Sequence, residues 1–304
     1  MTPSVHVGFV GLGRMGRPMA ARLLAAGVPL AVFDERADVV DGLVRECGGT
    51  AAPSVDALGR ASEIVITMLP DGGAVRRVVV DQDDRLLGAM PPGAVLIDMG
   101  SSSPAGTQAL GQLLASNGVA MLDAPVSGGV ARAVTGALSI MVGGEPAVVA
   151  RCRPLLAHLG ERVFETGMLG SGHALKALNN LVSAAGLLAA TEALLIGRRF
   201  GLDPGLMVDV FNASTARNNS TEQKLHQFVL SRTFASGFAL DLMAKDLGTA
   251  LALADHVGVD ASFGRRCLEL WTEASRALGA GADHTEVARW LESVSGTALS
   301  TEER

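Results

Sequence analysis

The segment GSGHALKALNN, residues 170–180, carries one of only three lysines in a chain that has 22 arginines. The other two are Lys224 and Lys245. Where this sequence uses plain positive charge it uses arginine, so each lysine asks for a reason. A lysine can release its proton near neutral pH when its surroundings disfavour the charge, whereas an arginine cannot. Lys176 falls in the first turns of a helix expected to start after Gly170 and Gly172. The partial positive charge of a helix N-terminus disfavours a cation there, and burial would push the amine's pKa down further. An amine so placed suits general acid–base work, which needs a proton that moves near the operating pH. Asn179 and Asn180 follow three and four residues on, on the same helix face. There an amide could hold the substrate oxygen that the amine serves. Asparagine is a poor helix former, so two in succession imply an offsetting benefit. The plainer reading is a solvated lysine with two capping asparagines.

Two other stretches could do chemistry. In DAPVSGG, residues 123–129, the Ser127 hydroxyl is followed by Gly128 and Gly129 at the end of a strand-like run. That exposes several donors with little steric cover, which suits a carboxylate; an ordinary glycine-rich turn is the alternative. In VHVGFVGLGRMGRPMAARLLAAG, Val5, Val7, Phe9 and Val10 read as a strand, and Gly11, Gly13 and Gly16 follow at GxGxxG spacing. A helix over 14–26 then ends at Gly27. Such glycines permit a tight turn, close approach of a pyrophosphate and close helix–sheet packing, and a helix N-terminus attracts phosphates. Asp34 lies 18 residues past Gly16, at the end of the next strand, where a carboxylate would hydrogen-bond a ribose 2′-hydroxyl. Asp34 and Glu35 would repel a 2′-phosphate, so the expected cofactor is NAD. Arg36 could swing onto a 2′-phosphate, leaving NADP possible, or pair with Glu35 or Asp38 on the surface.

These groups need elements to hold them. Strand-like runs recur as PLAVFD, EIVITMLP, AVLIDMG, VAMLDAPV, LSIMVGG and RVFET, separated for the most part by helical stretches. Alternation of this kind indicates an α/β unit with a mainly parallel sheet covered on both faces. From about Gly170 no convincing strand remains. The expected organisation is a Rossmann-like nucleotide-binding domain over residues 1–167 and an all-α domain over 168–304. A long helix over about 172–199 joins them, spanning about 40 Å at 1.5 Å per residue. The ending GTALSTEER is polar and expected to be mobile.

Composition narrows the function class. The chain of 304 residues is 48% hydrophobic and 4% aromatic, which allows a sizeable core of small aliphatic side chains. A net charge of −6 argues against a nucleic-acid partner, which calls for a basic face. Cys47, Cys152 and Cys267 are odd in number and lack CxxC spacing, so they read as buried free thiols of a reducing compartment. The start MTPSVHVGFVGLG has no basic n-region or cleavage site, and a cytoplasmic location is expected. The apolar run LVSAAGLLAATEALLIG contains Ser183, Thr191 and Glu192, which fits a buried central helix better than a membrane span. His6, His158, His226, His256 and His284 show no ligand spacing, and no metal is expected.

With these motifs in order, the chain resembles the β-hydroxyacid dehydrogenases, typified by 3-hydroxyisobutyrate dehydrogenase. GFVGLGRMGRPMA looks like that family's cofactor loop, DAPVSGG its substrate-carboxylate loop and GSGHALKALNN its catalytic helix. FALDLMAKDLGTAL is similar to its C-terminal lysine–aspartate segment, and the resemblance covers residues 5–292. It implies that Lys176 is the general acid/base and that Ser127, Gly128 and Gly129 bind the substrate carboxylate. Asn180, with Asn179, would hydrogen-bond the substrate. Gly11, Leu12, Gly13, Arg14, Met15 and Gly16 would hold the cofactor with Asp34. Met68, Leu69 and Pro70 would lie along it, Ser101 near the nicotinamide, and Lys245, with Asp246 beside it, would reach back to it. NADP-using members tend to have Asn-Arg-Thr in place of Asp34-Glu35-Arg36, which agrees with NAD. Members are commonly homodimers or homotetramers.

Some residues depart from the pattern. GSSSP, residues 100–104, stands where Ser-Thr-Ile often precedes a proline, and Ala74 replaces a frequent loop asparagine. In STARNNSTEQK, residues 214–224, Arg217, Asn218 and Asn219 offer polar groups where some relatives place aromatic ones. That implies a more polar substrate than 3-hydroxyisobutyrate, with Asn219 in its pocket; a solvated loop is the alternative. The expected activity is hydride transfer between the nicotinamide and a small β-hydroxyacid or the matching semialdehyde. An imine reductase-like or NADPH-dependent semialdehyde reductase is a second reading, and a non-catalytic nucleotide-binding module a remote one.

Overall fold

The computed structural model describes residues 6–300; Val5 and the final residues 301–304, both read above, lie outside the described residues. The chain divides into two compact units, Met1–Lys176 and Ala177–Arg304.

The first unit is built on one sheet of nine strands. They are β1 (Val7–Val10), β2 (Leu30–Phe33), β3 (Thr50–Ala51), β4 (Ile64–Thr67), β5 (Val95–Asp98), β6 (Ala120–Asp123), β7 (Val126–Ser127), β8 (Leu138–Gly143) and β9 (Gly160–Gly167). The order is β3-β2-β1-β4-β5-β6-β8-β7, with β9 also on β8. The strands from β3 to β6 pair in parallel. Strand β8 runs antiparallel to β6 and β7, and β9 parallel to β8. Strands β1, β4 and β5 are buried along their whole length. Their sequences VGFV, IVIT and VLID, apolar up to the terminal Thr67 and Asp98, are what a parallel strand covered on both faces requires. The cover comes from α1 (Gly16–Ala25), α2 (Ala37–Cys47), α3 (Val55–Arg60), α4 (Gly72–Arg76), α5 (Pro104–Ala115), α6 (Gly129–Thr135) and α7 (Pro146–Leu156). Ser54, Asp71 and Ser103 each cap a helix start by accepting a backbone N–H three residues on. The α/β architecture agrees with the sequence reading. The reading missed β3, β7 and α6, each too short to carry a periodic signal.

Helix α8 (Ser171–Phe200) has 30 residues. By length and composition it could cross a membrane, with a mean hydropathy of 1.5 over its most apolar window, half of which is buried inside the protein. The second unit adds α9 (Pro204–Ala213), a π-helical stretch Thr221–Leu230, α10 (Leu240–His256), α11 (Ser262–Leu278), a 3-10 turn His284–Glu286 and α12 (Val287–Ser295). Its core gathers Leu187, Leu194, Leu225, Leu247 and Leu291 around Trp271. Two expectations are corrected. Residues 296–300 are not loose: Leu299 is 1% exposed and its N–H donates to Glu292 Oε1 at 2.7 Å. Arg232 holds that carboxylate by two hydrogen bonds of 2.6 and 2.7 Å. Cys47 is exposed at the end of α2, whereas Cys152 and Cys267 are buried and burial pushes both thiols up to about 11.

His284 is a core residue of the second unit. It lies stacked 6.4 Å from Trp271 and shares a 2.9 Å hydrogen bond with Ser236 Oγ. Burial, and then the Lys224 ammonium, push its pKa down to about 4. An unfolded histidine takes up its proton near 6.5. The stability tied to neutral His284 is therefore complete above about 6.5 and is lost as pH falls toward about 4. We expect the wild-type protein to lose about 3 kcal/mol more unfolding free energy than His284→Gln between pH 7 and 4, measured by urea denaturation. Equal losses would place the acid sensitivity elsewhere.

Candidate active site

The glycine turn follows β1. Gly11 has φ +98°, and a Cβ there would lie 2.5 Å from the Met68 carbonyl oxygen. Gly16 opens α1, and a Cβ on it would run into the Gly11 carbonyl. Among the described residues, its own chain neighbours aside, nothing lies within 4 Å of the place a Gly13 Cβ would take, so the lack of a side chain keeps the space over the turn clear. Leu12 is buried and its N–H donates to Asp34 Oδ2 at 2.7 Å, which ties the turn to the end of β2. Arg14 is exposed and Met15 half-buried. Asp34 Oδ1 accepts from the Arg36 backbone N–H at 3.0 Å and from its Nε at 3.4 Å. Arg36 thus leans on Asp34, not on Glu35 or Asp38. Met68 and Leu69 are half-buried and Pro70 exposed just beyond β4, beside β1, where the strand order reverses. Ligands of open α/β sheets gather at such a crevice. At the start of α1 the Arg17 N–H donates to Gly13 O at 3.0 Å, Pro18 has no N–H and the Met19 N–H donates to Met15 O at 3.3 Å, so the turn's own backbone and the helix dipole face the crevice. A clear glycine turn, the N-terminus of α1 and a carboxylate after β2 fit a nicotinamide dinucleotide.

The next strand ends carry two buried carboxylates. Asp98 accepts from Thr67 Oγ1 (3.1 Å), Gly100 N (3.0 Å) and Ser102 Oγ (2.6 Å), fixing the loop that presents half-buried Ser101. Asp123 accepts from the N–H groups of Gly170 and His173, both at 2.7 Å. Its charge thereby caps the N-terminus of α8, where an anion is favoured. A Cβ on Gly172 would run into the Met141 carbonyl, so α8 starts flush against β8. His173 is buried, with Nδ1 2.8 Å from Thr107 Oγ1. This seat sets Lys176, half-buried in the second turn of α8. The sequence reading assigned no role to Asp98, Asp123 or Thr107, although the acidic ends of LID and MLD were visible. Ser127 is half-buried at the end of β7, and Gly128 (φ +131°) and Gly129 (φ +68°) are exposed. Their left-handed backbone turns the chain into α6 rather than leaving it a loop.

In the second unit, Asn179 is exposed and Asn180 buried. Asn179 Nδ2 donates to Asn180 Oδ1 at 3.1 Å, and Asn180 Nδ2 donates to buried Asp246 at 2.6 Å. Lys245 Nζ lies 3.5 Å from the other Asp246 oxygen. The chain Asn179–Asn180–Asp246–Lys245 fixes the orientation of the Asn180 amide. The polar segment 214–224 is mostly engaged with itself. Arg217 pairs with Glu222 at 2.6 Å, and Asn218 accepts the N–H groups of Ser220 and Thr221 while donating to Ala216 O. Asn219 is exposed on that turn. Two groups of the segment reach α8 at Ser183: the Ser220 hydroxyl, which donates to its carbonyl oxygen at 3.5 Å, and Lys224, whose Nζ donates to its Oγ at 2.9 Å. Burial pushes the Lys224 pKa down to about 8, opposed by the Asp283 carboxylate. The sequence singled out Lys224 only by the scarcity of lysine. Among the described residues, no three His, Cys, Asp or Glu side chains converge to hold a metal ion.

Two family models cover most of the chain. The NAD binding domain of 6-phosphogluconate dehydrogenase matches residues 6–168. The NAD-binding region of NADP-dependent 3-hydroxyisobutyrate dehydrogenase matches residues 170–291. A 2-(hydroxymethyl)glutarate dehydrogenase of Eubacterium barkeri is 36% identical over 301 residues, 99% of each chain. A 3-hydroxyisobutyrate dehydrogenase of Pseudomonas aeruginosa is 37% identical over 277 residues, 89% of this chain and 92% of that protein. Among solved structures, Mycobacterium tuberculosis 3-hydroxyisobutyrate dehydrogenase with L-serine superposes with a TM-score of 0.88 at 31% identity, covering 94% of this chain and 99% of its own.

Proposed function

Because the chain belongs to the β-hydroxyacid dehydrogenase family and transfers a hydride between a nicotinamide cofactor and a small hydroxy acid, we propose that Lys176 is its general acid/base. The observation that carries this is the seat of α8: Asp123 and Gly172 fix the helix start, and the second turn presents the lysine. The bound nicotinamide accepts or supplies the hydride. In oxidation the neutral amine of Lys176 takes the hydroxyl proton, and in reduction the ammonium returns it to the carbonyl oxygen. The Ser127 hydroxyl and the backbone at Gly128 and Gly129 hold the substrate carboxylate. Asn180, oriented through Asp246, hydrogen-bonds the substrate, and Asn179 and Asn219 line its surroundings. Gly11 to Gly16, Met68, Leu69, Pro70, Ser101 and Lys245 hold the cofactor.

NAD is the proposed cofactor, because a 2′-phosphate would meet the Asp34 carboxylate after β2. Exposed apolar side chains on α8 and α11, such as Val182, Phe200 and Phe263, support a homodimer or homotetramer. Unpaired cysteines support a cytoplasmic location, and the polar residues within α8 support a core helix over a membrane span. The acidic net charge supports a partner list without nucleic acid.

The test is absorbance at 340 nm with NAD or NADP and a panel of serine, threonate, glycerate and 3-hydroxyisobutyrate. We expect turnover with at least one of these acids and at least about tenfold higher kcat/KM with NAD. Equal use of NADP would overturn the cofactor assignment, and silence across the panel would rule out these four acids as substrates.

A further inference from the structure

Lys224 projects from the π-helical stretch Thr221–Leu230 onto Ser183 of α8. Ser183 lies three and four residues beyond Asn180 and Asn179 and seven beyond Lys176, so all four positions fall on or beside one face of the helix. One turn separates Ser183 from the asparagines, a rise of about 5 Å.

The lysine is poorly compensated where it sits. An ammonium has three N–H donors, and among the described residues Ser183 Oγ is the one acceptor that Lys224 Nζ meets within hydrogen-bond reach. The nearby carboxylate, Asp283, is taken up by Ser236, Gly237 and Thr285, through their hydroxyl and backbone groups. The neighbouring imidazole, His284, is held neutral by burial. Asp283 keeps its charge and offsets the burial of the ammonium only in part; a cation taken from water without a directly bonded counter-charge is costly, and a merely structural contact to Ser183 would be made as well by a neutral side chain.

We propose that Lys224 binds a second anionic group of the substrate, making the enzyme selective for β-hydroxyacids that carry a carboxylate on a short arm beyond the carbinol and first carboxyl carbons. This rests on the hydroxyacid dehydrogenase reading above. With the substrate oxygen held at Asn180, an arm of about two methylenes running along α8 brings its terminal carboxylate one helical turn on, to the ammonium. A charge-assisted pair there favours the diacid over its apolar isostere. The segment 214–224 thus confers polarity through its last residue, not through Arg217 or Asn218.

The experiment compares 2-(hydroxymethyl)pentanoate with 2-(hydroxymethyl)pentanedioate, which differ only in a terminal methyl against a carboxylate. The wild-type enzyme is expected to show a kcat/KM at least about tenfold higher for the diacid. Lys224→Met should bring the ratio to about one or below, with a melting temperature no lower than wild type because a half-buried, only partly compensated charge is gone. Lys224→Arg, which keeps the charge, should retain most of the preference. Equal kcat/KM values in the wild type, or a ratio that Lys224→Met leaves intact, would overturn the assignment while leaving the dehydrogenase reading in place. Equal values in the wild type overturn the assignment without any variant, and if Lys224→Met fails to fold, Lys224→Gln is read in its place with the same collapse of the ratio expected. Absence of turnover with both acids and with the hydroxyacid panel would count against the dehydrogenase reading itself.

Discussion

Lys176→Ala is expected to fold, to bind NAD with near-normal affinity and to lose turnover by about 10²–10⁴, the range that a positioned general acid–base group contributes. The loss should fall on kcat as well as kcat/KM, because the amine acts on a proton in flight rather than on ground-state binding. The fold should tolerate the change. Lys176 is half-buried on the second turn of α8, past the Gly170–His173 seat that Asp123 and Gly172 secure. Alanine is also the best helix former. Lys176→Arg should be nearly as damaging, since guanidinium keeps its proton throughout the accessible pH range. Steady-state kinetics beside NAD titrations by fluorescence separate the two quantities. Turnover within threefold of wild type in the alanine variant would remove Lys176 from the chemistry.

Gly16→Ala should abolish dinucleotide binding and destabilise the first unit. A methyl at Gly16 would run into the Gly11 carbonyl, which is backbone and cannot turn aside as a side chain could. Relief requires α1 to move away from β1, which pulls the turn out of shape and tilts the helix N-terminus off the phosphates. Phe9 lies 3.2 Å from the same added atom, so the core resists that movement. Overpacking of this kind costs about 1–3 kcal/mol. Thermal melts with and without NAD should show a lower Tm and no NAD-dependent rise. An NAD-dependent rise equal to that of the wild type would mean that the turn does not hold the pyrophosphate.

The cofactor end was readable because its demands fall on residue types at short range. Gly11 needs a positive φ, Gly16 needs no side chain, and both follow an unbroken apolar strand. The start of α8 was readable for a similar reason: Gly172, Lys176 and Asn180 belong to one run of the chain. The parts that escaped are joined across distance. Asp123 meets Gly170 and His173 from 47 and 50 residues away, and Asn180 meets Asp246 from 66. No local pattern announces such pairings. Arg217 and Asn218 were ambiguous in the sequence because a polar side chain in a turn can serve its own neighbours, as these two do, as readily as a ligand. Cys47 and Leu299 were misjudged for a related reason. Residue type sets a tendency to be buried, while the position of Cys47 at the end of α2 and the hydrogen bond from Leu299 to Glu292 decide the outcome.

The central claim is that the amine at position 176 moves the proton at the reacting oxygen, and chemical rescue tests it most directly. Exogenous primary amines of graded pKa are added to Lys176→Ala with saturating NAD and hydroxyacid. The account predicts that turnover returns in proportion to the free-base concentration and rises with amine basicity. No rescue by any small amine, together with pH–rate profiles that coincide between wild type and Lys176→Ala, would contradict it.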